Sequence, residues 1–455
     1  MTKTSASILI LGAGGDLTKR LLLPGLASLL TRREYDVQVI GAGLDDRSDV
    51  WDEIVRTSFE AADVGADPDA LLDSTEYIPA DATSAEDLKR LLDACAHTPV
   101  IYFALPPAVS AKVCEALREV ELPEGTRLAL EKPFGTDLES ARRLNRLLTL
   151  LVPEEQIFRI DHFLGMSMVL NVLGLRFANR VLEGAWRAEH VERVEIVFDE
   201  TLALEGRGGY YDSAGALVDM LQSHLLEVLS LVALEPLPRL DQAELRSNIA
   251  QVLRSTRVWD DDPVAASKRA RYTAGRVGER DLPSYVDEEG VDPARETETL
   301  AQITCAVDTP RWRGVSFVLR SGKAISADRT TVTVRFKPAP EIPGFIGEPK
   351  SDSIVLDLLS GEVALDLSMN GSGDPFTLEQ TRLSTDKAPG DLLPYGQVLE
   401  GILDGDPLLS VRGDIAEECW RIVAPVLDAW RDGRVPLEEY AAGSAGPDGW
   451  GTAAG

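Results

Sequence analysis

Cysteine is scarce: Cys95, Cys114, Cys305 and Cys419 are the only four in 455 residues, far apart and with no Cys-x-x-Cys pair. That excludes a disulfide framework and a cysteine-based zinc site, and buried reduced thiols are expected. Histidine is equally rare, with four. Positive charge is short as well: 46 lysines and arginines stand against 75 aspartates and glutamates, a formal charge of −29. Nucleic acid and anionic membranes both need a basic face, so neither is expected as a partner, and a phosphorylated small molecule would require a locally basic pocket. No long apolar signal region with a small-residue cleavage site precedes the first strand pattern. Met1 to Ser7 lead directly into it, which predicts a cytoplasmic location. The one long apolar stretch, Ala216 to Leu234, carries Asp219, Gln222, His224 and Glu227 and therefore reads as a buried helix, not a membrane span. Internal repeats are absent.

What is present is enough apolar residue, 44%, for sizeable cores. At roughly 100–200 residues per domain the length suggests two or three domains. Short apolar runs at Ser7–Leu11, Val37–Gly41, Val100–Leu105 and Leu128–Glu131 alternate with helical patterns at Leu17–Arg32, interrupted at Pro24, and at Ala85–Cys95 and Ala108–Val120. That alternation predicts a parallel sheet covered on both faces. After about Pro153 the pattern changes: a strand at Ile157–Ile160, a helix at Met166–Asn179, a strand at Val191–Asp199. Alternating runs follow at Gln302–Val307, Val315–Leu319, Thr330–Phe336, Ile354–Leu358 and Val363–Leu367, predicting an antiparallel sheet. The expected architecture is an α/β Rossmann-type N-terminal domain over 1–155, binding a dinucleotide, and an α+β C-terminal domain over 156–455 with a large, mainly antiparallel sheet. The Gly- and Ala-rich ending, Ala441 to Gly455, is expected to be mobile unless docked.

Gly12, Gly14 and Gly15 follow the first strand and open a helix, the order in which backbone approaches a pyrophosphate and helix N–H groups meet its charge. A glycine turn between a strand and a helix is by itself a weak sign. The longer run Gly12-Ala-Gly-Gly-Asp16-Leu17-Thr-Lys-Arg20 occurs together with Glu131-Lys132-Pro-Phe-Gly135, Phe158-Arg-Ile-Asp161-His162-Phe-Leu-Gly165, Phe198-Asp-Glu200-Thr201, Gly215-Ala-Leu-Val-Asp219-Met-Leu-Gln-Ser-His224 and Leu319-Arg-Ser-Gly-Lys323. With these motifs the chain resembles the glucose-6-phosphate dehydrogenase family nearly end to end.

The resemblance implies oxidation of an aldose at C1 to its lactone, with hydride passing to NAD or NADP and no metal. It implies His224 as general base, suited to proton transfer near neutral pH, with Asp161 as its partner. It implies Lys132 beside both sugar and cofactor, and His162, Glu200, Asp219 and Lys323 on the sugar. Gly12, Gly14, Gly15, Asp16, Leu17 and Asp45 are expected at the cofactor. It also implies a homodimer or homotetramer paired through the outer face of the large sheet. Helix geometry supports the base only in part: Asp219 and His224 lie five residues apart, about 140° around an ideal α-helix.

The chain departs from the family pattern at several points. Leu44 stands where NADP-using members carry an arginine, and Asp45 and Asp46 follow it, so NAD is expected to be favoured. Ser223 replaces an asparagine. Phe163 and Met166 replace a tyrosine and a lysine that grip the sugar phosphate, a loss of roughly 2–4 kcal/mol, or about 30- to 1000-fold in affinity. The substrate is therefore glucose 6-phosphate, held by replacements elsewhere, or a related hexose without the phosphate. Two other classes fit some of these residues: a non-catalytic regulator or scaffold on the same fold, and a sugar C3 dehydrogenase of another Rossmann-type class sharing Glu-Lys-Pro.

Overall fold

The computed structural model describes residues 4–386, 390 and 392–450. The chain forms two compact units, one of 1–167, 237–250 and 390–420, the other of 168–236, 251–389 and 421–455.

The first unit is built on strands β1 (Thr4–Leu11), β2 (Tyr35–Gly43), β3 (Thr75–Pro79), β4 (Pro99–Phe103), β5 (Arg127–Glu131) and β6 (Ile157–Ile160). They pair in parallel in the order β6-β5-β4-β1-β2-β3, and the short strand Ser410–Val411 adds an antiparallel edge beside β6. This is the doubly wound order, whose strand sequence reverses between β1 and β4, where such sheets bind ligands. Nearly continuous apolar runs form these strands because both sheet faces are covered; all five residues of β4 are buried. Ile157–Ile160, which the change of pattern associates with the second domain, pairs in parallel with β5 in this sheet. Pro24 does not interrupt its helix. A π-wound turn, Thr18–Leu22, leads straight into the α-helix Leu23–Leu30, and this local widening accommodates the proline, which has no N–H to return to the preceding turn.

The second unit carries a ten-stranded, mainly antiparallel sheet. Its strand β7 (Val191–Asp199) pairs in parallel with Ser316–Gly322 and antiparallel with Arg329–Phe336. The helical stretch Tyr211–Ala233, kinked at Gly215, is long and apolar enough to cross a membrane, but 89% of its most apolar window is buried within the fold. The ending is docked through 450: the Arg320 guanidinium donates to the carbonyls of Ala445 and Trp450, and the Trp450 side chain is buried. The remainder of the tail, 451–455, lies outside the described residues.

Candidate active site

In the first unit, Gly12 leaves the end of β1 at φ +85°, and a Cβ there would meet the Ala104 carbonyl oxygen at 2.4 Å, so only glycine fits. The turn opens onto a cavity of about 480 Å³ lined by Gly12, Gly14, Gly15, Gly43, Leu44, Asp45, Arg47, Tyr77 and Lys112 among others. A glycine floor at the switch point, with cations at its rim, fits a dinucleotide. Asp16 is exposed and Leu17 packs on the hydrophobic core; neither lines the cavity.

Beyond β5 and β6 the same unit presents Lys132, Asp161 and His162. Asp161 is buried, and its Oδ1 accepts the Phe163 backbone N–H at 2.9 Å, which caps the single 3₁₀ turn His162–Gly165. The Phe163 ring is buried and meets the His162 imidazole edge-on, while the Tyr395 ring lies nearly parallel to that imidazole at 6.2 Å between centroids. Glu131, next to Lys132, accepts a short hydrogen bond from the Tyr102 hydroxyl and another from Tyr395. Desolvation pushes its carboxyl up to about 7, against the pull of those hydroxyls and of the Lys132 charge. Sequence reading missed Tyr102, Glu131 and Tyr395 as a group, because the three lie on separate elements; the one local sign was Glu131 within Glu-Lys-Pro.

In the second unit, β7 and Ser316–Gly322 end side by side because they run in parallel, with Asp199 opposite Gly322. The residues that follow them, Glu200 and Lys323, therefore emerge together and form a short ion pair. Each is fixed from behind: the Glu200 N–H donates to the Gly322 carbonyl at 2.8 Å, and the Lys323 N–H to the Thr299 carbonyl at 2.9 Å. One strand position deeper, buried Asp199 takes the Arg320 guanidinium at 3.1 Å through both oxygens.

The helix of Asp219 and His224 differs from the ideal α-helix expected of it. Leu217–Leu225 is π-wound, and the Leu226 N–H reaches back five residues to the Leu221 carbonyl. Five-residue spacing then becomes roughly one turn. Half-buried Asp219 and buried His224 accordingly lie near one face instead of well apart. A kink precedes the winding at Gly215, at φ +68°, where a Cβ would strike the Glu298 carboxylate at 2.5 Å. Glu298 caps the segment by accepting the Leu217 N–H at 2.9 Å, and burial pushes its carboxyl up to about 7. Glu298 sets the helix of His224, and the Thr299 carbonyl holds Lys323.

The first unit holds a nucleotide-sized cavity, a lysine and an Asp–His turn; the second holds a histidine and a carboxylate on one helix, and an ion pair that matches the donors and acceptors of a polyol. A family model for the glucose-6-phosphate dehydrogenase NAD binding domain matches residues 9–171, and one for the glucose-6-phosphate dehydrogenase C-terminal domain matches residues 173–453. The chain is 37% identical over 464 residues to glucose-6-phosphate 1-dehydrogenase of Gluconobacter oxydans, covering 96% of this chain and 94% of that one. It is 35% identical over 477 residues to the enzyme of the same name from Mycolicibacterium smegmatis, covering 96% and 93%. Among solved structures, glucose-6-phosphate 1-dehydrogenase from Mycobacterium avium matches with a TM-score of 0.85 at 32% identity, over 98% of this chain and 96% of that one. A glucose-6-phosphate dehydrogenase in complex with its substrate glucose 6-phosphate matches with a TM-score of 0.87 at 29% identity, over the same shares. The chain belongs to the glucose-6-phosphate dehydrogenase family.

Proposed function

We propose that this protein is an NAD(P)-dependent dehydrogenase that oxidises glucose 6-phosphate, or a closely related hexose, at C1 to the lactone, and that it acts in carbohydrate metabolism in the cytoplasm. The dinucleotide-binding role belongs to the N-terminal region, 1–155, and substrate binding and subunit pairing to 156–455. His224 takes the proton of the C1 hydroxyl, and Asp161 is its orienting partner. When bound, the nicotinamide ring accepts the hydride that leaves C1. Lys132, His162, Asp219, Glu200 and Lys323 hold the sugar, the last two as a pair whose acceptor and donor are already fixed by backbone bonds.

The observation that carries this reading is the π-winding of Leu217–Leu225, which turns two residues at an unhelpful α-helical spacing into neighbours on one face, a carboxylate for a hydroxyl beside an imidazole for its proton. NAD is the favoured cofactor, given Leu44 in place of an arginine and the exposed Asp45 after it. A homodimer or homotetramer is supported by exposed apolar side chains in the second unit, among them Ile342, Ile346, Phe376 and Leu383.

Following NADH and NADPH formation over phosphorylated and free aldoses tests the reading, with the lactone as the expected product. His224→Ala should lower kcat at least 100-fold, within the typical 10²–10⁴ of general base catalysis, while cofactor affinity stays within a few-fold. Asp161→Asn should act in the same direction and less severely. Turnover nearly unchanged in His224→Ala, or oxidation at another carbon, would overturn the assignment.

A further inference from the structure

Of the two aspartates at the end of β2, Asp45 lines the cavity and Asp46 does not. Asp46 is occupied by its own turn, accepting the Ser48 N–H at 3.0 Å and the Ser48 hydroxyl at 2.7 Å. Leu44, at the family's arginine position, is 79% exposed. Arg47, three residues on, lies across the glycine floor instead: a Cβ placed on Gly14 would meet its Nε at 2.7 Å. Its guanidinium is 3.9 Å from the carboxylate of Asp45, whose side chain is 84% exposed. The Tyr77 hydroxyl fixes this loop by donating to the Asp45 carbonyl at 3.0 Å. Of the other charged groups lining the cavity, Asp81 is engaged by the Thr83 N–H and hydroxyl, and Lys112 adds a second cation.

A long, exposed pair such as Asp45–Arg47 is weak and easily exchanged. A guanidinium paired with a phosphate dianion makes stronger, charge-assisted bonds. We infer that Asp45 and Arg47 together read the adenosine ribose: Asp45 accepts the free hydroxyl of NAD, and Arg47 leaves Asp45 to pair with the 2′-phosphate of NADP, so that cofactor choice rests on these two residues. The inference depends on the cavity being the dinucleotide site of the proposed function.

Dissociation constants of NADH and NADPH, measured by titration calorimetry on the whole chain at one ionic strength, test it. Arg47→Ala should weaken NADPH by at least about tenfold and leave NADH within threefold. Arg47→Lys should keep part of the NADPH affinity, as expected of a charge without the bidentate fork. Asp45→Ala should weaken NADH and leave NADPH equal or tighter. Equal weakening of both cofactors by Arg47→Ala would overturn the inference, because the arginine would then be serving the shared part of the molecule; no change in NADPH affinity would overturn it too. If the unaltered protein bound neither cofactor, the proposed function itself would fall, which separates that failure from this one.

Discussion

The two units use a similar backbone device for different ends. In the first, a positive-φ glycine, Gly12, precedes the π-wound turn Thr18–Leu22; in the second, Gly215 at positive φ precedes the π-wound segment Leu217–Leu225. The first glycine belongs to a strand–turn–helix written out within about thirty consecutive residues, and its cavity forms where the parallel sheet reverses its order. The second is held by Glu298, 81 residues beyond the N–H it caps, and the nearby ion pair joins residues 123 apart. A site made by local order is legible from motif spacing. One made by strand pairing and a distant cap is not, because no periodicity in the chain records which strands run side by side.

The comparison breaks first at Gly12. Gly12→Ala adds a Cβ 2.4 Å from a main-chain oxygen at a positive φ, so a stability loss on the order of 3 kcal/mol or more and loss of cofactor binding are expected by urea unfolding and NADH titration. Gly14→Ala, whose Cβ meets the movable Arg47 side chain first, should be far milder. Comparable losses in the two variants would mean that the backbone turn is not what the site depends on.

Next in size is the phosphate grip at the end of β6. Restoring it with Phe163→Tyr and Met166→Lys should raise kcat/KM for glucose 6-phosphate about 30-fold, the lower end of what two recovered contacts provide. Strong activity on that substrate before the change, with little gain after it, would show that another cation has taken over the phosphate. The lesson that local motifs carry the first unit's specificity would then fail at this turn.

The second unit is probed by a double-mutant cycle on Glu200→Gln and Lys323→Met. The side chains are 20% and 10% exposed, and a coupling of about 1–2 kcal/mol is expected in unfolding free energy. Strictly additive effects would mean that the parallel strand ends do not bind the two into one group.

The cap of the second unit is probed by pH. The Glu298 carboxyl titrates at about 7 in the folded chain against an ordinary 4.5. The unfolded chain therefore gives up this proton first, and folding stability is lost as pH rises from about 4.5 to 7, then levels off. Glu298→Gln keeps an acceptor for the Leu217 N–H and removes the titration. The wild-type-minus-variant difference in unfolding free energy should fall by roughly 3 kcal/mol across that window. A flat difference would remove the burial account of this cap.

Much of the molecule is determined by the sequence alone. Alternating apolar runs and helical patterns prescribe a doubly wound sheet followed by a large antiparallel one, since burial on two faces or one dictates the apolar period. Glycines at Gly12 and Gly14, Lys132, the Asp161–His162 turn and His224 are visible as motifs because each is set by a few consecutive residues. Tertiary structure decided the rest. It placed Ile157–Ile160 in the first sheet by pairing with β5, docked the Gly-rich ending onto Arg320, and turned Asp46 onto Ser48 while laying Arg47 over Gly14. It also wound Leu217–Leu225 more loosely than an α-helix, reversing the expected angle between Asp219 and His224. Each of these outcomes turns on a hydrogen bond, a strand register or an approach between distant segments, and none of those has a period along the chain.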